Sequence, residues 1–247
     1  DVSTVVSWIK GEGGTTVDIR VYRESEDKYY DFTVERRKIE VPTVAYEMLD
    51  DNIGYVQVTE FDEVTSDQYI AAVDDLKAQG MEGLIVDIRD NPGGLLSCVV
   101  DMLDYMLPEG TIVYTEDKNG EGDTYTSDAE HYFDLPLAVL VNGNSASASE
   151  IFSGAIQDYE TGTIIGTQTF GKGIVQSILP FNDGSAIKIT VSRYFTPRGT
   201  CIHGEGITPD VEVDLNEELK TKLTIEKSED NQLQKAIENV KEQIAAE

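Results

Sequence analysis

A chain of 247 residues, 40% hydrophobic and 27% charged, has ordinary globular composition and can hold one large core or two smaller domains. Its formal net charge of −28 argues against nucleic acid or an anionic membrane surface as a partner. Cys98 and Cys201 lie far apart without CxxC or ligand-like spacing, so no metal site or cofactor is expected, and Cys98, inside an apolar helical pattern, reads as a core residue.

Val2, Val5, Val6 and Ile9 fall on one face of a helix that ends near Gly11. Residues 16–21 and 29–35 read as two strands joined by a turn at Glu24-Ser25-Glu26-Asp27, and this helix with its hairpin is too small to own a core. The chain opens without methionine and inside a helical pattern, so it reads as a piece of a longer protein. Pro42 marks the boundary with the next unit. There, residues 53–58 form a strand. Residues 65–79 form a helix with Thr65-Ser66-Asp67-Gln68 as a capping box, Gly80 as its stop, and Tyr69, Ile70, Val73 and Leu76 as its buried face. Residues 84–88, LIVDI, are a buried strand that Asp90-Asn91-Pro92-Gly93-Gly94 turns into a helix from about Leu95 to Leu107. Such a turn presents backbone N–H groups at the C-terminal end of a strand, where α/β folds place their sites. Residues 117–130, polar and acidic, have the character of a surface loop or hairpin.

Residues 137–141, LAVLV, read as a buried strand running into the loop 145–149, and a helix follows from Ser149 with Ile151, Ala155 and Ile156 on one face. Glu150 is expected to point to the positive end of that helix. A serine at such a junction sits beside free N–H groups able to bind an oxyanion, which is where a nucleophile belongs, and its hydroxyl then needs a base. His131 and His203, the two histidines, have no obvious orienting carboxylate beside them. Gly143-Asn144-Ser145-Ala146-Ser147 departs from the GxSxG elbow at its last position. Lys172 is the better base: it lies between Gly171 and Gly173 with Phe170, Ile174 and Val175 close by, and apolar surroundings favour a neutral amine. Further on, residues 174–179 and 186–194 flank Phe181-Asn182-Asp183-Gly184 as a hairpin, in which Lys188 reads as outward and solvated. Residues 209–213 end the core as an edge strand. Leu233, Ile237, Val240 and Ile244 form a narrow stripe on a charged helix, for which folding back on the core and pairing with another copy both stay open.

SASASE followed by TFGKGIVQ resembles the carboxy-terminal processing peptidases, or tail-specific proteases, a family of serine-lysine peptidases with a PDZ domain. The likeness runs from the first residues to about Asp214. It implies Ser147 as the nucleophile, Lys172 as its base, Gln176 as the residue that holds the lysine, and the N–H groups of Gly93 or Gly94 and of Ala148 as oxyanion donors. With residues 172 and 176 on one strand, both side chains should share a face. The implied fold is α/β: a crotonase- and ClpP-like β-α superhelical core over residues 41–215, a partial PDZ domain over 1–40, and a C-terminal helical extension over 216–247. Of the PDZ domain only the C-terminal half is present, without its carboxylate-binding loop and groove strand. The implied activity is that of a serine endopeptidase cleaving proteins near their tails. Its substrates would be proteins or peptides with apolar, unstructured C-termini. Its location would be extracytoplasmic, secreted or anchored through a segment outside this sequence, and its terminal helices offer a homodimer contact. A phosphate cradle is the first rival, since GTQTFGK fits most of GxxxxGK[ST], but Gly173 replaces the Ser or Thr and a strand pattern follows. The alternative of a catalytically silent, peptide-binding scaffold is opposed by the presence of both serine and lysine. Alone, a Ser-Ala run is usually small-residue packing and a lysine usually solvated; together and in order, they point to chemistry.

Overall fold

Asp1 caps helix α1 (Val2–Ile9) by accepting a hydrogen bond from the Thr4 amide at 2.9 Å. Strands β1 (Thr16–Arg23) and β2 (Lys28–Glu35) pair antiparallel, from Thr16 opposite Glu35 to Arg23 opposite Lys28. Arg36 ties helix to hairpin, donating to the carbonyls of Trp8 and Ile9 at the end of α1 and to that of Thr16. No residue of α1 is buried. The computed structural model describes residues 1–38, 41–128, 130–222 and 224–246, and the chain divides into two units, Asp1–Val41 and Pro42–Glu247. The boundary expected after residue 40 falls on a residue outside the described ones.

The second unit runs β3 (Val44–Met48), β4 (Ile53–Val58), α2 (Thr65–Ala78), β5 (Gly83–Asp87), α3 (Leu96–Asp104), β6 (Gly110–Glu116), β7 (Thr124–Ser127), β8 (Leu137–Val141), α4 (Ala148–Tyr159), β9 (Thr163–Gly166), β10 (Ile174–Pro180), β11 (Ala186–Phe195), β12 (Val211–Glu212) and α5 (Asn231–Ile244). One sheet has the order β12-β9-β8-β5-β4-β3 and is parallel except for β3, which lies antiparallel on the β4 edge. A second, antiparallel sheet has the order β10-β11-β6-β7. Strands β3 and β6 escape the sequence reading because neither shows a clean alternation or a fully apolar run.

Both faces of the parallel sheet are covered, which is why LIVDI and LAVLV are continuous apolar runs rather than alternating ones. Leu84 and Val86 of β5, with Leu137, Val139 and Val141 of β8, pack with residues of α2, α3 and α4. Ile85, Ala138 and Leu140 point to the other face and meet Leu233, Ala236 and Val240 of α5. Helix α5 thus folds back on the sheet, and its apolar stripe is not left for a second copy.

The expected capping box of α2 does not form. Gln68 instead turns its Oε1 to the amides of Thr43 and Val44, Thr65 accepts from the Asp62 amide, and Val64 occupies the cap position. Ala72 joins Tyr69, Val73 and Leu76 in the buried face, while Ile70 is half-buried.

Candidate active site

Between β8 and α4 the chain folds across the C-terminal end of β5. Ser145 fixes this loop, its buried hydroxyl donating to the Ile88 carbonyl at 2.8 Å and accepting from the Asn142 amide at 3.0 Å. Ser147 is the residue that caps α4, with φ 57° and ψ −112°, a backbone conformation that residues other than glycine rarely adopt. Strain of this kind persists only where the surroundings impose it, and it clusters at sites of chemistry. Ser147 is half-buried, at the mouth of a helix N-terminus.

The Asp90-to-Gly94 turn packs directly on this junction. A Cβ built on Gly93, whose φ is +97°, would lie 2.5 Å from the Ala146 carbonyl oxygen, 2.8 Å from Ser147 Cβ and 2.9 Å from the Ala148 amide nitrogen, so only glycine fits. Asn91, fully buried, organises the contact: Nδ2 donates to the Val58 carbonyl, Oδ1 accepts from the Gly93 amide at 2.8 Å, and its carbonyl accepts from the Ala146 amide and the Ser149 hydroxyl. The Gly93 N–H is thereby occupied within the turn, which leaves Gly94 as the open one of the two glycine amides. The N–H groups of Gly94 and Ala148 donate to no group among the described residues. Two free amides beside a half-buried serine are what an oxyanion would bind.

Glu150 joins this serine loop to the lysine loop. Its carboxylate is fully buried and takes four donors: the Ser147 amide and the Lys172 amide, each at 2.8 Å on Oε2, and the Thr169 hydroxyl and the Gly171 amide, each at 2.6 Å on Oε1. Four donors and the helix N-terminus offset the cost of burying the charge. Glu150 faces the helix N-terminus, but not instead of the lysine loop as expected: it accepts from both, so that the backbones of Ser147 and Lys172 lie within two hydrogen-bond lengths of each other. The Phe170 amide adds a bond to the Ser145 carbonyl at 3.0 Å.

The side chains are less tightly arranged. Lys172 is half-buried, and no hydrogen bond joins its Nζ to Ser147 Oγ. The apolar enclosure expected from its neighbours is partial, because Phe170 is 65% exposed while Ile174 and Val175 are half-buried. Gln176 is exposed and its amide group has no partner among the described residues. Strand β10 starts only at Ile174, so Lys172 is not on it and the shared-face argument for residues 172 and 176 has no strand to act on. Of the alternative bases, His131 is exposed and stacked on Tyr105 at 5.6 Å, and His203 is exposed. The His203 main chain passes close to Gly173, where an added Cβ would meet its nitrogen at 2.4 Å. Lys188 is exposed, as expected. Asn91 and Thr169 were missed as site residues: the turn signal covered the first, and nothing local marks the second.

The description "Peptidase family S41" matches residues 52–213. A carboxyl-terminal-processing protease of Synechocystis sp. is 38% identical over 206 residues, covering 82% of this chain and 48% of its own length. A carboxy-terminal-processing protease of Bartonella bacilliformis is 40% identical over 221 residues, covering 86% of this chain and 50% of its own. Among solved structures, a photosystem II D1 C-terminal processing protease superposes with a TM-score of 0.66 at 32% identity, covering 83% of this chain and 57% of that one. The chain thus spans about half the length of the curated relatives it matches.

Proposed function

From the premise that the chain belongs to peptidase family S41, we propose that it is a serine endopeptidase acting near protein C-termini, with Ser147 as nucleophile and Lys172 as base. The observation that carries this reading is the junction itself: a strained, half-buried serine with free amides at Gly94 and Ala148, bound through Glu150 to the lysine loop. Neutral Lys172 takes the hydroxyl proton as Oγ attacks the scissile carbonyl. The two amides hold the oxyanion, the protonated lysine gives its proton to the leaving amine, and water then releases the acyl group by the same base. A base and nucleophile unjoined before substrate arrives are compatible with this, since such hydrogen bonds often tighten only in the complex. Gln176 enters the reading as the amide that holds the lysine, which requires its exposed side chain to turn inward.

The same reading takes unit Asp1–Val41 as the second half of a PDZ domain, the second unit as a crotonase- and ClpP-like core, apolar unstructured tails as substrates, and an extracytoplasmic location. For a homodimer, α1 is the remaining terminal helix, its Val2 and Trp8 being 78% and 70% exposed. The silent-scaffold alternative is less well supported, because both chemical groups are present. Mass spectrometry of an unstructured peptide with an apolar C-terminus, incubated with the wild type and with Ser147→Ala, tests the proposal. Internal cleavage by the wild type alone is expected, and equal cleavage by both removes Ser147 from the reaction.

A further inference from the structure

We infer that the N-terminal cap of α5 positions the oxyanion turn, with Asp230 and Gln232 as positioning residues that act through Arg89. Arg89 immediately precedes the turn that ends in Gly94. Its guanidinium donates to Asp87 from Nε and Nη2, to Asp230 from Nη1 at 3.1 Å and Nη2 at 2.8 Å, and to Gln232 Oε1 from Nη1 at 3.0 Å. The side chains of Arg89, Asp87 and Asp230 are 14%, 1% and 9% exposed, and removing one member of a buried charge group leaves the others uncompensated. Burial opposes the Arg89 charge, but Asp87 and then Asp230 outweigh it and raise the guanidinium pKa. Two carboxylates against one guanidinium leave a negative charge in excess. Asp230 accommodates it as the cap of α5, where Oδ1 accepts from the amides of Gln232 and Leu233 at the positive end of the helix.

From Arg89 the constraint passes along the turn. Its amide donates to Asp87 Oδ1, and Asp90 follows in a left-handed conformation with its amide on Asn142 Oδ1 and its carboxylate accepting from Asn142 and Asn144. Asn91 then fixes Gly93 against Ala146 and Ser147. A helix far along the chain thus anchors one end of a turn whose other end presents the free Gly94 amide. Asp230 and Gln232 lie outside residues 52–213, the segment that the family description matches. The inference rests on Gly94 being an oxyanion donor.

Asp230→Asn keeps the acceptor that caps α5 and removes the charge that faces Arg89. Hydrogen–deuterium exchange of the segment 88–95 should then quicken about tenfold more than that of α5 and of the sheet, over and above any fall in Tm, since a charged hydrogen bond outweighs a neutral one. In a wild type that reacts with a fluorophosphonate at Ser147, the labelling rate should fall by about the same factor. Unchanged exchange in 88–95 overturns the inference. So does faster exchange spread equally over 88–95, α5 and the sheet, which is the result for a cap that only stabilises its helix. Gln232→Leu, which removes one Arg89 acceptor together with a donor to the Val213 carbonyl and leaves the Asp230 carboxylate, should quicken 88–95 at smaller amplitude, with any loosening beside Val213 as a separate effect, and it decides the question if Asp230→Asn does not fold. A wild type that no fluorophosphonate labels counts against the peptidase reading, and the exchange comparison still decides this one.

Discussion

Glu150 is the residue on which the two halves of the site depend. A carboxylate can accept from all four of its donors, whereas a glutamine of the same shape turns an NH2 toward at least one N–H. Glu150→Gln should therefore lower stability by about 1–3 kcal/mol, the cost of leaving buried polar groups unpaired. It should also lower kcat more than KM, because Ser147 and Lys172 lose their common anchor. Thermal melting and steady-state kinetics read the two effects, and a variant with wild-type Tm and kcat would show that the four bonds do not position the site. The base is a second question at this scale. Lys172→Ala should abolish cleavage in a folded protein, while His203→Ala, whose side chain is exposed, and His131→Ala, which loses a stacking contact with Tyr105, should leave cleavage within a few-fold of wild type. Loss of activity in a folded histidine variant would point to a histidine base instead.

Helix α5 is the element whose packing matters most for its length. Leu233, Ala236 and Val240 are buried against Ile53, Ile85 and Leu140 on the face of the sheet opposite α2 to α4. Leu233→Ala should cost about 2–5 kcal/mol, the range for a buried leucine truncated to alanine, and denaturant unfolding measures it. A loss below about 1 kcal/mol would mean that α5 detaches readily in solution. Because Leu233 directly follows Gln232 and donates its amide to Asp230, this variant also separates helix docking from the Arg89 contacts.

For the whole molecule, 47 acidic residues against 19 basic ones dominate the electrostatics. Most ion pairs, such as Arg198 with Glu160 and Lys222 with Glu229, are exposed and contribute little each. Self-repulsion should therefore outweigh them, and the Tm should rise as salt goes from about 20 mM to about 200 mM, where the screening length falls below ~10 Å. A falling Tm over that range would mean that the surface pairs are net stabilising. Within unit Asp1–Val41 no residue of α1 is buried, and the hairpin leaves Tyr29 64% exposed.

What the sequence determined by itself is the part of the protein encoded locally. LIVDI and LAVLV read as strands because a strand buried on both faces is a continuous apolar run; the small-residue junction and the glycine-flanked lysine are local patterns too, while the choice of Ser147 within that junction came from the family resemblance. Tertiary structure decided whatever depends on partners distant in sequence. The Asn91 bond to the Gly93 amide two residues on is a local Asx turn, but its contacts with the Val58 carbonyl, the Ala146 amide and the Ser149 hydroxyl are ones that no turn signature contains. Glu150 finds its further donors at residues 169–172, and Arg89 meets Asp230 across 141 residues of chain, so neither role has a local signal. Gln68 left its capping box for the amides of Thr43 and Val44, and the late start of β10 undid the parity count from Lys172 to Gln176. In each case a hydrogen bond was open to several partners of equal chemistry, and only the folded chain's proximity selected one.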